Sequence, residues 1–200
     1  MNKILQNFYV LEGLDGAGTT TQSKLIESYL LSKQVPFFLT FEPTSSQLGQ
    51  TARKILQGKI KTTPLALAFQ FCADREDHIN NKENGIIAKL NEGKKVISDR
   101  YFYSSLAYQS LGATYEKVKK LNNFPSPEYI FFLDTPCEVC INRIDNRGDS
   151  KEIFEEIEVL KKVKSNYERA FSELDEKVKL IRIDGTLPKE KIFEVIKQYL

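Results

Sequence analysis

The sequence contains the stretch Gly13-Leu14-Asp15-Gly16-Ala17-Gly18-Thr19-Thr20-Thr21 between a short apolar run and a helical pattern. Glycines let the backbone fold tightly, so that successive N–H groups point inward at the oxygens of a phosphate. The start of the following helix adds a partial positive charge at the same place. The stretch therefore predicts a phosphate-binding loop that joins a buried strand to a helix.

The loop departs at one position from the spacing G-x-x-x-x-G-K-[ST]. Thr19 stands where this motif has Lys, whose ammonium group normally reaches the β- and γ-phosphates. Thr20 keeps the hydroxyl group that ligates Mg²⁺. Three interpretations of the loop are open: an active phosphate loop without its lysine, a phosphate loop on a protein that no longer catalyses, and a Gly-rich turn without a ligand.

Short apolar runs alternate with helical patterns along the chain. Strands are predicted at residues 8–11, 37–41, 96–98, 129–133 and 178–183. Helices are predicted at about residues 20–33, 48–57, 64–92 and 150–177, after Thr135-Pro136, and from Pro188 onward. Such alternation indicates a parallel sheet covered on both faces. We expect one α/β domain, residues 1–200, with a five-stranded parallel sheet.

Polar motifs follow the predicted strands. The phosphate loop follows the first strand, Glu42-Pro43 the second, Asp99-Arg100 the third and Asp134 the fourth. Ligands bind at the carboxyl ends of the strands in such sheets, so these motifs are candidates for one site. An Asp beside a phosphate loop can hold Mg²⁺, which makes Thr20 and Asp99 candidate metal ligands. An adjacent Arg can grip a phosphate through its fork of N–H groups.

The composition argues against several other classes of protein. The 200 residues are 41% hydrophobic and 28% charged, which is typical of a globular chain. The net charge is only +2, so no overall charge attracts nucleic acid or an anionic membrane. No apolar run reaches the roughly 18 residues needed to span a bilayer. Three cysteines fit a reducing compartment, and we expect a cytoplasmic location.

A second motif identifies a family. Residues 99–109 read Asp-Arg-Tyr-Phe-Tyr-Ser-Ser-Leu-Ala-Tyr-Gln, which resembles the D-R-Y-x-x-S-S-x-A-Y-Q signature of thymidylate kinases. The resemblance includes residues 11–18, 40–43 and 71–78 and extends over nearly the whole chain. It implies a three-layer P-loop kinase fold and an enzyme of the bacterial type. Such an enzyme transfers the γ-phosphoryl group of ATP to dTMP. The resemblance also implies Mg²⁺ as the cofactor and a homodimer.

The same resemblance implies how dTMP binds. Phe71 would stack on thymine, and Arg75 and Gln109 would hydrogen-bond its polar edge. Arg53 and Arg100 would hold the dTMP phosphate. Tyr108 would crowd the 2′ position of the sugar and favour deoxyribose. The other residues that the resemblance places around the acceptor are Glu42, Pro43, Tyr101, Ser104 and Ser105.

The donor side and a lid are implied in the same way. ATP would lie against Gly13, Leu14, Asp15, Gly16, Ala17, Gly18, Thr19, Thr20 and Thr21. Asp15 would also lie near the metal and the 3′-hydroxyl of the dTMP sugar. A short lid at about residues 143–153 would close over ATP. The candidate catalytic residues are Asp15, Arg100, Arg143 and Arg147.

The lid also departs from the family pattern, because Ser150-Lys151 replaces its Asp-Arg pair. We hypothesise that Arg143, Arg147 or Lys151 partly supplies the charge missing at Thr19. Two other functions are open: a kinase for another nucleotide or a deoxynucleoside, and a non-catalytic nucleotide-binding protein with a degraded phosphate loop. The acceptor motif favours the enzyme, because a protein that only senses ATP does not need it.

Overall fold

The computed structural model describes residues 3–147 and 153–200, apart from the side chain of Arg147. Five strands form one parallel sheet in the order β2-β3-β1-β4-β5. Their bounds are β1 Ile4–Gly13, β2 Phe37–Phe41, β3 Lys95–Asp99, β4 Ser126–Asp134 and β5 Lys179–Asp184. The predicted five-stranded parallel sheet is confirmed. Strand β1 begins earlier than its apolar run because Ile4 and Leu5 pair with the start of β4.

Helices cover both faces of the sheet. Their bounds are α1 Thr19–Ser32, α2 Gln47–Leu56, α3 Pro64–Asn80, α4 Ile86–Asn91, α5 Phe102–Tyr108, α6 Tyr115–Leu121, α7 Cys137–Arg147, α8 Ile157–Ser172 and α9 Lys189–Ile196. Successive side chains of a strand point to opposite faces, and β4 shows the result. The Phe132 ring packs on Tyr167 and Phe171 of α8, whereas the Phe131 ring packs on Tyr199 beyond α9.

The predicted helix at residues 64–92 is wrong in its length. Helix α3 begins at Pro64, where the Thr63 side chain caps it, but ends at Asn80. The Asn81 carboxamide oxygen then accepts hydrogen bonds from the N–H groups of Glu83 and Asn84. This local turn competes with the helical bonds and separates α3 from α4.

Two other predictions need correction. The predicted helix at residues 150–177 begins at Ile157 and ends at Ser172 among the described residues, so the charged pattern on either side is not helical there. The sequence pattern predicted no helix between β3 and β4, where α5 and α6 lie. Both are short, at 7 residues each, so they carry little periodic signal.

Within the described ranges, none of the helices combines the length and the apolar character that crossing a bilayer requires.

Candidate active site

A cleft opens at the carboxyl ends of the strands. Its volume is about 1400 Å³, and residues that follow β1, β2 and β3 line it. The strand register explains why the residues that follow these three strands meet. Asp99 is level with Leu11 of β1 on one side and with Phe41 of β2 on the other. An ordinary small-molecule pocket holds roughly 300–1000 Å³, so this cleft has room for two ligands.

The phosphate loop lies at the centre of the cleft and depends on two glycines with positive φ. Gly16 has φ +82° and Gly18 has φ +103°, a region that side chains other than glycine rarely adopt. A Cβ atom on Gly16 would also lie 2.6 Å from the Cys140 carbonyl oxygen. Gly18 is the N-cap of α1, so the N–H groups of the first helical turn face the cleft. The backbone therefore has the form that binds a phosphate.

The predicted metal ligands lie next to each other. The Thr20 hydroxyl donates a 2.6 Å hydrogen bond to Asp99 Oδ2. Asp99 Oδ1 is buried and has no hydrogen-bond partner among the described residues. An unpartnered carboxylate oxygen beside a hydroxyl group fits Mg²⁺, which takes one or two carboxylates and completes its shell with phosphate and water. No group of three His, Cys, Asp or Glu side chains suited to a metal occurs within residues 3–147 and 153–200.

Arg100 reaches across from the end of β3 to the phosphate loop. Its Nη1 donates to the carbonyl oxygen of Gly13 at 3.0 Å, and its Nη2 pairs with Asp15 Oδ1 at 2.6 Å. Its backbone has φ +75°, which is rare for a residue with a side chain and marks a position held by its surroundings. Burial opposes the charge, but Asp15 and nearby groups hold the pKa of Arg100 above its ordinary value.

Glu12 belongs to the site, although sequence reasoning assigned it no role. Its side chain is completely buried, and its Oε1 accepts hydrogen bonds from the N–H groups of Tyr101 and Ser104. Its Oε2 accepts from the Ser104 hydroxyl at 2.6 Å and the Tyr167 hydroxyl at 2.8 Å. Burial raises the pKa of Glu12 to about 7, against the opposing effect of Arg100. The sequence feature that could have identified Glu12 is the presence of a carboxylate within the apolar end of β1.

A buried network of charges forms the far wall of the cleft. Arg75 is 1% exposed and donates to Glu42 Oε2 at 2.8 Å, to the Ser105 hydroxyl at 3.0 Å and to the Asn122 carboxamide. His78 Nδ1 lies 3.0 Å from the other Glu42 oxygen. Burial alone would raise the pKa of Glu42, but Arg75 and His78 together lower it. Arg75 is thus fixed in place, and nothing in the sequence identified Asn122 as its partner.

Most of the predicted acceptor residues line the cleft. They are Glu42, Pro43, Arg53, Phe71, Arg75, Arg100, Tyr101, Ser104, Tyr108 and Gln109. Ser105 does not line it and instead lies behind Arg75. The Gln109 side-chain oxygen is buried without a hydrogen-bond partner in the described part of the chain, so it is available to a ligand. The Tyr108 hydroxyl accepts from the Asp15 N–H at 2.9 Å.

A separate buried carboxylate holds the loop before α2. Asp74 is 1% exposed and accepts from the backbone N–H and the hydroxyl of Thr44 and from the Ser46 hydroxyl. Ser46 caps α2, the helix that carries Arg53. Arg53 in turn donates to the Pro43 carbonyl oxygen at 2.9 Å, which places its guanidinium at the acceptor side.

The described part of the lid lies beside the phosphate loop. Arg143 Nη1 is 3.3 Å from the carbonyl oxygens of Gly16 and Ala17, and its Nη2 is 3.0 Å from that of Gly185. Phe154 lines the cleft and packs on Tyr108. The side chain of Arg147 and residues 148–152, including Lys151, lie outside the described residues.

Comparison with known proteins agrees with this arrangement. The family model described as thymidylate kinase matches residues 11–196. A protein of Treponema pallidum (strain Nichols) is 38% identical over 98% of this chain and 96% of its own length. One of Methanococcus aeolicus is 37% identical over 98% and 97%, respectively. One of Leptospira interrogans is 35% identical over 94% and 90%, respectively. The Leptospira protein is named thymidylate kinase, and the other two carry qualified forms of that name. This chain belongs to the thymidylate kinase family.

Proposed function

We infer that this chain transfers the γ-phosphoryl group of ATP to dTMP and so forms ADP and dTDP. One observation supports this most directly. Arg100 belongs to the acceptor motif, yet its guanidinium contacts the phosphate loop through Gly13 and Asp15. A donor phosphate on the loop and an acceptor phosphate on Arg100 would therefore lie next to each other.

Positioning and charge account for the reaction. An oxygen of the dTMP phosphate forms a bond to the γ-phosphorus, while the bond to the β–γ bridging oxygen breaks and its electron pair leaves with ADP. Negative charge spreads over the transferred group, so the protein needs fixed positive charge more than a general base. The loop N–H groups and Arg100 provide it in a preorganised form.

Thr20 and Asp99 are the residues that would hold Mg²⁺. Bound Mg²⁺ neutralises charge on the donor phosphates. The hydrogen bond between the Thr20 hydroxyl and Asp99 keeps both oxygens at the edge of the loop. Replacing Thr20 by Val should raise the Mg²⁺ concentration needed for half-maximal turnover by about tenfold, with a smaller effect at saturating Mg²⁺. Thr114→Val is the matched control, because Thr114 is exposed and makes no side-chain cap bond.

The side chains that line the acceptor side of the cleft favour dTMP over other nucleotides. Phe71 offers a ring for stacking, and Gln109 has a buried side-chain oxygen with no hydrogen-bond partner among the described residues. Arg75 is held by Glu42 with its guanidinium at the cleft wall, where a carbonyl oxygen of the base would meet it. Tyr108 is held against the loop at Asp15 and would exclude a 2′-hydroxyl group.

The experiment is a substrate panel. The purified protein is incubated with Mg·ATP and each of dTMP, dUMP, UMP, CMP and thymidine, and ADP and the phosphorylated product are followed. We expect turnover mainly with dTMP. Turnover with another acceptor would correct the substrate, and binding of dTMP without any turnover would indicate a non-catalytic nucleotide binder.

A homodimer and a cytoplasmic location belong to the same proposal. Leu48 of α2 and Phe69 of α3 are 38% and 54% exposed, and α2 and α3 pack together, which supports an apolar contact surface there. All three cysteines are free thiols, which supports a reducing compartment. Light scattering of the purified protein tests the dimer directly.

A further inference from the structure

A tyrosine of α8 reaches the start of the phosphate loop. Tyr167 lies on α8, the helix that follows the lid segment, and its side chain is completely buried. Its hydroxyl oxygen lies 2.8 Å from Glu12 Oε2 and 3.2 Å from the Gly13 carbonyl oxygen. Neither the phosphate loop nor the acceptor motif includes this residue. The fold therefore brings a distant side chain to the site.

The packing of the Tyr167 ring does not require its hydroxyl group. The ring centroid lies 5.3 Å from that of Phe132 and 5.6 Å from that of Phe171, and a phenylalanine would make the same contacts. A buried tyrosine hydroxyl commonly has one hydrogen-bond partner. This hydroxyl instead lies within 3.3 Å of polar atoms of four site residues, which are Glu12, Gly13, Arg100 and Ser104. Such a concentration of polar contacts indicates a role beyond packing.

The direction of these hydrogen bonds follows from the number of protons. The Tyr167 hydroxyl has one proton, and Glu12 Oε2 is its nearest acceptor. Burial and the neighbouring Glu12 raise the pKa of Tyr167 well above its ordinary value, so the hydroxyl keeps this proton at neutral pH. Its oxygen is left to accept from Arg100 Nη1 at 3.3 Å, because a guanidinium can only donate. Tyr167 thus connects the Glu12 carboxylate to Arg100.

The partners of Arg100 come from separate segments of the chain. Gly13 and Asp15 belong to the loop after β1, and Ser104 lies one turn further along α5. Tyr167 provides the contact from α8, so the position of this helix helps to set the guanidinium. A long arginine side chain has many rotamers, and fixed partners select one of them before a ligand binds.

We propose that Tyr167 is a positioning residue for the acceptor phosphate, because its hydroxyl group holds the Arg100 guanidinium in the orientation that contacts this phosphate. This rests on the proposed function, in which Arg100 holds the phosphate of dTMP. Tyr167 is assigned no contact with a substrate or a reacting atom. It acts by accepting a hydrogen bond from Arg100 while its own proton is donated to Glu12.

The contribution of the phosphate group to binding tests the proposal. The dissociation constants of thymidine and dTMP are measured by calorimetry without ATP, at about pH 8, where Glu12 is mostly ionised. The ratio of the thymidine constant to the dTMP constant reports the phosphate contact, because the base and the sugar are common to both ligands. We expect Tyr167→Phe to lower this ratio by about fivefold, which is less than the loss of a whole charged hydrogen bond because other partners still hold Arg100.

Tyr115→Phe is the matched control. Tyr115 is also buried, and its hydroxyl donates to Glu173 Oε2 at 3.0 Å, just beyond the end of α8 and outside the site. This variant should keep the ratio within about twofold of the wild type. Arg100→Met gives the second comparison. In that background Tyr167→Phe should change the ratio by less than about twofold, because the guanidinium that it positions is gone.

Two results would overturn the proposal. One is a change of less than about threefold in the ratio when Tyr167→Phe is made in the wild type, which includes an equal loss of dTMP and thymidine affinity. The other is an equal fall of the ratio with and without Arg100. Circular dichroism checks folding. If Tyr167→Phe does not fold, Glu12→Gln takes its place under the same criteria, because its amide N–H group can donate to the Tyr167 oxygen in competition with Arg100.

These outcomes are separable from failure of the proposed function. Binding of dTMP and thymidine does not require phosphoryl transfer, so a panel without turnover leaves the binding ratio to be judged by itself. If the panel selects another acceptor, that nucleotide and its nucleoside replace dTMP and thymidine. An unchanged ratio in Arg100→Met would contradict the acceptor role of Arg100 in the proposed function. A lowered ratio in Arg100→Met with an unchanged ratio in Tyr167→Phe would contradict only the role of Tyr167.

Discussion

The donor and acceptor halves of the cleft consist of different kinds of protein group. The donor half is mostly backbone, with two glycines at positive φ and the N–H groups at the start of α1. The acceptor half consists mostly of buried side chains, in which Arg75 and His78 both contact the Glu42 carboxylate. We therefore expect a site made from backbone to tolerate a changed side chain such as Thr19 but not a side chain on its glycines. A site made from buried charges should instead be sensitive to the loss of any one of its charged side chains.

The largest expected effect comes from breaking the acceptor network. Arg75→Met leaves Glu42 buried without its guanidinium partner, and loss of one member of a buried pair costs about 3–5 kcal/mol. We expect the free energy of unfolding in urea to fall by about that amount. Arg169→Met removes a guanidinium from Glu116 where the two side chains are 49% and 66% exposed. The Arg169 guanidinium also lies 3.8 Å from the centroid of the Tyr115 ring and 3.7 Å from Glu173, so the whole loss should be about 1–2 kcal/mol, still below that of Arg75→Met. Equal losses in the two variants would contradict the comparison.

The next effect comes from adding a single carbon to the donor half. Gly16→Ala forces a side chain into φ +82° and places its Cβ 2.6 Å from the Cys140 carbonyl oxygen. We expect it to cost about 2–4 kcal/mol of stability, from backbone strain and crowding together. ATP affinity should fall by about tenfold or more, because the loop must shift.

Gly58→Ala separates strain from loop geometry. Gly58 has φ +70°, and no atom of the described residues lies within 4 Å of a Cβ atom placed there. This variant should show the strain cost of roughly 1–2 kcal/mol with the ATP affinity of the wild type. Calorimetric titration with Mg·ATP measures the difference. If both variants lose ATP affinity alike, general destabilisation rather than loop geometry explains the loss.

The same division explains how much the sequence could predict. Glycine spacing is local, so the loop between β1 and α1 and the alternation of strands and helices could be recognised from neighbouring residues. The turn at Asn81 was missed because the helical pattern continues through it, although the Asn81 side chain stops the helix. Local competition of this kind is weaker than periodicity as a signal.

The acceptor network could not be predicted in the same way. Arg75 contacts Asn122, which is 47 residues away in the chain, and Glu12 contacts Tyr167 across 155 residues. Such contacts exist only once the sheet has formed, and no spacing rule connects them. The family resemblance supplied Arg75 as a candidate, but the partners that hold it came from the structure.

Glu12 lies where the two halves meet and provides the smallest of the three expected effects. Its carboxyl group is buried, and its pKa is raised from 4.5 to about 7. The folded protein therefore binds a proton on Glu12 more tightly than the unfolded chain does. Stability should fall as the pH rises from about 5 to 8 and Glu12 must ionise in the folded state. We expect this contribution to be about 2 kcal/mol over this pH range, because one unit of pKa shift corresponds to about 1.4 kcal/mol and part of the shift lies below pH 5.

Glu12→Gln isolates this contribution, because every other ionisable group is common to both proteins. The variant should lose less stability than the wild type between pH 5 and 8 when urea unfolding is measured at each pH. Glu194→Gln, which removes a carboxylate that is 57% exposed beside Lys197, should give a curve parallel to the wild type. Parallel curves for Glu12→Gln and the wild type would show that Glu12 is already ionised below pH 5. The donors from α5 and α8 would then outweigh burial, and Glu12 would act as a fixed negative charge that pairs with Arg100 throughout the neutral range.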